Sequence, residues 1–193
     1  MRVILDACVL FPTVQREFFL ETGQLYTPLW SDRILDEWYY SVLTKLGEDA
    51  AAIASVEIET MRARFPNATV AESMAQPPTG ERLKILQSIA LPDASDRHVI
   101  ISAIRGGADM IVTANRKDFP RAVMAALSLR AISPDEFAVL LWSQNATEVA
   151  QAAHRVFARA QAAGAGVTSK ALFKRARLPR LAKALATGED DAQ

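Results

Sequence analysis

The sequence predicts an α/β protein: a central, mostly parallel sheet of four or five short strands, helices on both of its faces, and a helical extension at the C-terminus. Three observations carry this. Short apolar runs, Val3-Ile4-Leu5 and Met110-Ile111-Val112, lack the alternation of a half-solvated strand and suit a buried parallel sheet. Between them lie segments whose apolar residues recur at helical spacing, as in Val99, Ile100, Ala103 and Ile104. Polar residues then follow the runs, Asp6 after the first and Asn115 and Asp118 after the other, on the rim where open α/β sheets bind ligands.

In chain order, Arg2 to Leu5 is the first strand. Val9 to Thr22 continues as a helix offering Val9, Leu10, Phe18, Phe19 and Leu20 to the core, with Phe11-Pro12 marking a break or a first turn. Leu25 to Thr27 suits a second short strand. Ser31 is placed to cap a helix whose stripe is Ile34, Leu35, Trp38, Val42 and Leu46, and Gly47 ends it. Ala50 to Phe65 forms another helix, with Ile53, Val56, Ile58 and Met61 as core contacts; Ala68 to Ala71 is a third strand. Gln76 to Gly80, with its paired prolines, is the clearest loop, too short for a domain linker.

Asp96 to Arg105 is a helix with an acidic start, stopped by Gly106-Gly107, and Asp109 to Thr113 is the strand it feeds. Pro120-Arg121 starts a short helix and Leu129 to Ile132 is a last strand. Ser133-Pro134-Asp135-Glu136 is a capping box with proline at the first helical position. Asn145 to Glu148 repeats that logic, so Pro134 to Ser143 and Ala146 to Ala163 are separate helices. Gly164-Ala165-Gly166 interrupts, Thr168 caps another helix, and Leu178-Pro179 separates a final one. There is no internal repeat. The expected division is residues 1–145 as the α/β domain and 146–193 as a basic helical extension.

At 193 residues the chain is long enough to bury a real core. No run approaches the roughly 18 apolar residues of a membrane helix, so no membrane partner is expected. The N-terminal segment carries Asp6 inside its apolar run and has no small-residue cleavage site, which fits a first strand and not a signal peptide. A single cysteine, Cys8, excludes an internal disulfide framework and fits a reducing cytoplasm. Zero net charge conceals a polarity. Residues 1–150 hold 14 basic and 19 acidic residues, whereas 151–188 hold 8 basic residues and no acid, and Glu189, Asp190 and Asp191 follow. Only the C-terminal quarter has the charge of a nucleic-acid binder.

Taken alone, Asp6 is either a helix cap or a ligand, Glu37 a solvated helix residue, and Asp96 a first-turn acid that favours the helix dipole. Asn115 with Asp118 suits an Asx-type turn. Competing Asp chemistries lack their partners. A haloacid-dehalogenase-type phosphatase needs a second Asp where Cys8 stands, and a receiver domain needs an upstream acidic pair. A Cys-x5-Arg phosphatase needs Arg where Val14 stands, and no Gly-rich loop with a Lys is present for nucleotide phosphates. Jointly, carboxylates converging on one rim repel each other unless a cation sits among them. An all-oxygen set without a Cys or His pair selects a hard ion, Mg²⁺ or Mn²⁺, suited to polarising a phosphodiester and activating water.

The chain also resembles a family. Val3 to Leu10 with its Asp6, Ile34-Leu35-Asp36-Glu37-Trp38, the Asp96 that opens a helix, and Val112-Thr113-x-Asn115-x-x-Asp118-Phe119 look, in that order, like a PIN domain over about residues 2 to 135. PIN domains include metal-dependent ribonucleases, among them the VapC-like toxins of bacterial toxin–antitoxin pairs. The resemblance implies a three-layer α/β/α sandwich and an endoribonuclease cleaving RNA. It further implies a toxin role with a cognate antitoxin, and a homodimer. Asp6, Glu37, Asp96 and Asp118 would be the catalytic acids, and Glu37 is preferred to Asp36 because it matches the family's second acid. Many PIN domains carry Asp where this chain has Asn115, so two readings stay open: Asp118 supplies the fourth charge to the metal, or Asn115 holds water or substrate. That departure also supports a rival reading, a catalytically weak PIN-like scaffold that binds RNA or protein. Thr113 and His98 are candidate substrate contacts, against the plainer readings of a strand residue and a surface or packing residue; His154 is expected in solvent and Cys8 as a small buried residue.

Lys170, Lys174 and Arg177, with Leu172, Phe173, Leu178 and Leu181, would form basic amphipathic helices beyond the region of resemblance. They are substrate-binding candidates for RNA phosphates. An acidic antitoxin segment, a second copy, or a solvated cap packed on the core are the other readings.

Overall fold

A computed structural model of the chain describes residues 1–71, 81–88 and 91–190. Along it run β1 (Arg2–Leu5), α1 (Ala7–Leu10), α2 (Thr13–Glu21), β2 (Thr27–Leu29), α3 (Asp32–Leu46), α4 (Glu48–Arg64) and α5 (Glu81–Ser88). Then come α6 (Arg97–Arg105), β3 (Met110–Val112), α7 (Arg121–Ala126), β4 (Arg130–Ile132), α8 (Pro134–Gln144), α9 (Ala146–Ala162), α10 (Ser169–Arg175) and α11 (Pro179–Asp190). They pack as two compact units. One is Met1–Phe11 with Thr27–Ile132; the other is Pro12–Tyr26 with Ser133–Gln193. The second unit thus takes α2 and α8 together with the C-terminal helices.

In the first unit the strands pair in the order β2-β1-β3-β4, and every pairing is parallel. This is the α/β/α class that the sequence predicts. Ile4 pairs with Leu29 on one side and Ile111 on the other. Val3, Ile4, Leu5, Ile111 and Val112 are fully buried, as a parallel sheet covered on both faces requires. At the carboxyl ends the Asp6 N–H donates to Val112 O at 3.2 Å and the Thr113 N–H to Ile132 O at 3.0 Å, so the strands finish level with one another. Two glycines close the turn that feeds β3. A Cβ on Gly106 would lie 2.9 Å from Val70 Cγ2 and 3.0 Å from Leu29 Cδ1, and Gly107 sits at a φ of 59°.

Several expectations need correction. The second strand is Thr27–Leu29, shifted past Leu25, because β2 lies at the sheet edge where Pro28 is tolerated without a ladder N–H. Ala68 to Ala71 forms no strand, only an isolated bridge between Trp30 and Thr69. The segment from Val9 to Thr22 divides into α1 and α2 at Phe11-Pro12, the break expected there. Leu46, Ile53 and Val56 are 63%, 63% and 68% exposed; α4 buries Ile58 and Met61 as expected, with Ala51 and Ala54 in place of Ile53 and Val56. The helix α5 was not foreseen, and the loop Gln76 to Gly80 lies outside the described residues.

The second unit is held by rings. Phe19 and Tyr26 pack on Phe137 at centroid distances of 5.5 and 5.0 Å, and Phe18 packs on Phe173 at 5.8 Å. Arg155 pairs with Glu21 and Arg159 with Glu17 at 2.8 and 2.9 Å. The capping box at Ser133 forms as expected, with the Ser133 hydroxyl accepting from the Glu136 N–H and the Glu136 carboxylate from the Ser133 N–H. Thr168 caps α10. Among the described residues no helix is long and apolar enough to cross a membrane.

Candidate functional site

The site grows from the ends of β1 and β3. Asp6, 6% exposed, is the N-cap of α1, and its Oδ1 accepts from the Ala7 N–H at 2.7 Å. Its Oδ2 accepts from Thr113 Oγ1 at 2.7 Å and from the Cys8 thiol at 3.1 Å. Buried carboxylates are costly unless donors surround them, and here three do. The plain reading of Asp6 as a cap is therefore realised, and acceptor capacity remains on the second lone pair of Oδ1.

Cys8 is the residue that sequence reasoning missed. Its Sγ accepts from the Ala114 N–H at 3.2 Å while its proton points to Asp6. Burial above all, and the Asp6 charge next, push the thiol up to about 12, so it stays protonated as a donor. Its i+2 spacing from Asp6 was visible in the sequence; its contact with Ala114, 106 residues away, was not.

Beyond β3, Thr113 accepts from the Asn115 N–H at 3.0 Å. Asn115 Nδ2 donates to Asp118 Oδ2, and the Asp118 N–H returns a bond to Asn115 O at 3.1 Å. This closes the turn Arg116–Asp118 and leaves Asp118 buried. The amide at position 115 thus serves the neighbouring carboxylate.

Asp96 differs from these. Asp93 caps the short turn Ala94–Asp96 by accepting from the Ser95 N–H at 2.8 Å. Asp96 starts α6 without any side-chain cap bond. Its Oδ2 is buried and has no hydrogen-bond partner among the described residues. Burial first, then the charges of Asp6, Asp118, Asp93 and Glu37, raise its pKa to about 6. A carboxylate that lacks donors and faces like charges is an environment that favours a cation.

Glu37 stands half-exposed on α3, with His98 Nε2 2.8 Å and Arg33 Nε 3.8 Å from its Oε1. Its neighbour Asp36 is exposed. His98 is not a surface residue: it is buried against Glu37, because the turn before α6 aims this face inward. The His98–Glu37 contact is close but lacks hydrogen-bond alignment, and neither ring nitrogen has a hydrogen-bond partner among the described residues.

The structure therefore places Asp6, Glu37, Asp96, His98, Thr113, Asn115 and Asp118 in one unit, with four acids acting electrostatically on Asp96. They do not form a closed ligand set: among the described residues no three His, Cys, Asp or Glu side chains stand close enough to hold a metal ion. Lys170, Lys174 and Arg177 belong to the other unit and are exposed; His154 is exposed there too.

A family model described as PIN domain matches residues 2–117, more than half of the chain. "Putative ribonuclease VapC50" of Mycobacterium tuberculosis is 43% identical over 42 residues, which is 22% of this chain. The chain spans about a quarter of the length of that relative, 25%. No solved structure matches.

Proposed function

This chain belongs to the PIN-domain family, and from that premise we propose that it is an endoribonuclease dependent on Mg²⁺ or Mn²⁺. The observation that carries the reading is the buried, donor-free Oδ2 of Asp96, set among the charges of Asp6, Asp118, Asp93 and Glu37. The donor set is all oxygen, which fits a hard divalent ion. Asp6, Glu37, Asp96 and Asp118 are the residues that would hold it, with Asn115 at the edge of the site. Bound there, the ion supplies polarisation of the scissile phosphate and activation of the attacking water.

The chain's own groups do the positioning. Thr113 and the protonated Cys8 fix the Asp6 carboxylate through Oδ2, and Oδ1 keeps one acceptor position. Asn115 steadies Asp118 through its amide, and its carbonyl side remains available to water or substrate. His98 backs Glu37 from the protein interior. We further propose that the protein acts in the cytoplasm as the toxin of a toxin–antitoxin pair and that an antitoxin and a second copy are its protein partners. The name of the M. tuberculosis relative supports the ribonuclease part of this.

A second reading, a catalytically weak scaffold that binds RNA or protein, is favoured by Asn115, which puts a neutral amide on the rim, and by the open ligand set. RNA cleavage by the purified protein with Mg²⁺ or Mn²⁺ decides between them. The nuclease reading expects cleavage that EDTA stops and that Asp6→Asn and Asp96→Asn abolish. Cleavage at the wild-type rate by both variants would overturn the assignment.

A further inference from the structure

We propose that the exposed face of α10 and α11 binds the phosphate backbone of RNA without reading its bases. This rests on the reading that RNA is the substrate, and it deepens it by assigning a second contact surface. Six cations lie in the 14 residues from Lys170 to Lys183: Lys170, Lys174, Arg175, Arg177, Arg180 and Lys183. All six are exposed. None makes an ion pair among the described residues, whereas Arg155 and Arg159 on α9 are held by Glu21 and Glu17. An unpaired cluster of this density creates a positive field that attracts a polyanion.

The placement is regular. Lys170 and Lys174 stand one turn apart, about 6 Å along the axis. Arg177 continues the row in the turn between the helices, where it adopts a left-handed φ of 60°. On α11, Arg180 and Lys183 share a face opposite Leu181, Ala182 and Leu185, which are buried. Asp135 fixes the start of α11 by accepting from the Arg180 and Leu181 N–H groups at 3.0 and 3.2 Å, so the cations are carried on an anchored frame.

The face also offers no exposed aromatic or aliphatic anchor among the described residues. Among the described side chains its exposed residues are Lys, Arg, Thr and Pro, and its aromatic, Phe173, is fully buried. Protein interfaces take their energy from apolar and aromatic anchors, and base contact on single strands comes from aromatic stacking. Cations alone neutralise phosphates and position the strand.

Fluorescence anisotropy on the full chain in EDTA tests this, using a labelled uridine RNA and a labelled adenosine RNA of roughly 20 nucleotides. Titrations run between about 50 and 200 mM KCl. Both RNAs should bind alike, and log Kd should rise linearly with log salt. Replacing Lys170, Lys174 and Arg177 together by Gln should lower the slope by about 2 units, near 0.7 for each lost phosphate contact. A charge-keeping variant (Lys170→Arg, Lys174→Arg, Arg177→Lys) should bind as the wild type does, which separates lost charge from lost fold. A wild-type slope in the Gln variant overturns the proposal. So does displacement by a glutamate peptide of equal length as effective as by unlabelled RNA, which would assign the face to an acidic protein segment. Because cleavage is silent in EDTA, a chain that binds but does not cut with Mg²⁺ sinks the nuclease reading alone. A chain that cuts while the Gln variant keeps full affinity sinks this inference alone.

Discussion

Thr113 Oγ1 donates to Asp6 Oδ2 across 2.7 Å, tying the end of β3 to the end of β1 through side chains 107 residues apart. Hydrogen bonds to buried charged groups contribute more than neutral ones, about 1.5–3 kcal/mol. Thr113→Val should therefore lower unfolding stability in urea by that amount, while Thr113→Ser should retain most of it. A larger loss in Thr113→Ser than in Thr113→Val would mean that the methyl, not the hydroxyl, matters.

Glu37 and Asp36 are adjacent acids with opposite surroundings. Glu37 reaches His98 and adds to the field at Asp96, whereas Asp36 is exposed. Glu37→Gln should reduce metal-dependent RNA cleavage by at least roughly a hundredfold, the scale on which a group acting on the reacting centre matters. Asp36→Asn should leave the rate unchanged. The reverse pattern in a cleavage assay would move the second acid of the site to Asp36.

Asp96 makes the metal-free protein sensitive to pH. Its folded-state pKa of about 6 lies above the ordinary 3.8, so the folded form holds the proton more tightly than the unfolded form. Its contribution to stability is complete below the ordinary value and is lost as pH rises through the folded one. In EDTA, Asp96→Asn should melt higher than wild type at about pH 7.5, and the gap should narrow toward about pH 5. A melting difference of constant size across that window would show that the surrounding acids do not act on Asp96.

Asp135 caps α11 from another helix, accepting from two of its first N–H groups. Asp135→Ala leaves those donors unsatisfied and should cost about 1 kcal/mol of stability, the usual size of a lost cap. Urea unfolding of the full chain measures it directly.

The parts of the fold that were legible in the sequence are those set by local chemistry. Ser31, Ser133 and Thr168 cap the helices they were expected to cap, and the apolar runs at Val3 and Met110 pair as parallel strands. What was not legible depends on partners distant in the chain. Pro28 is acceptable in a strand only because β2 is an edge, which the strand order decides. Ile53 and Val56 have helical spacing like the buried Ile58 and Met61, but α4 is apolar on two sides and packing selects Ala51 and Ala54 in their place. At the site, the acids could be named from their motifs, yet the buried contact of His98 with Glu37 and the Cys8 bridge to Ala114 join segments 61 and 106 residues apart. Neither residue type announces such a role by itself.

Calorimetric titration of Mn²⁺ into the purified, metal-stripped protein tests the central claim most directly. Saturable uptake that is lost in Asp96→Asn and weakened in Asp6→Asn is the predicted result. No heat of binding in the wild type, or the same heat in Asp96→Asn, would contradict a metal centre built on this rim.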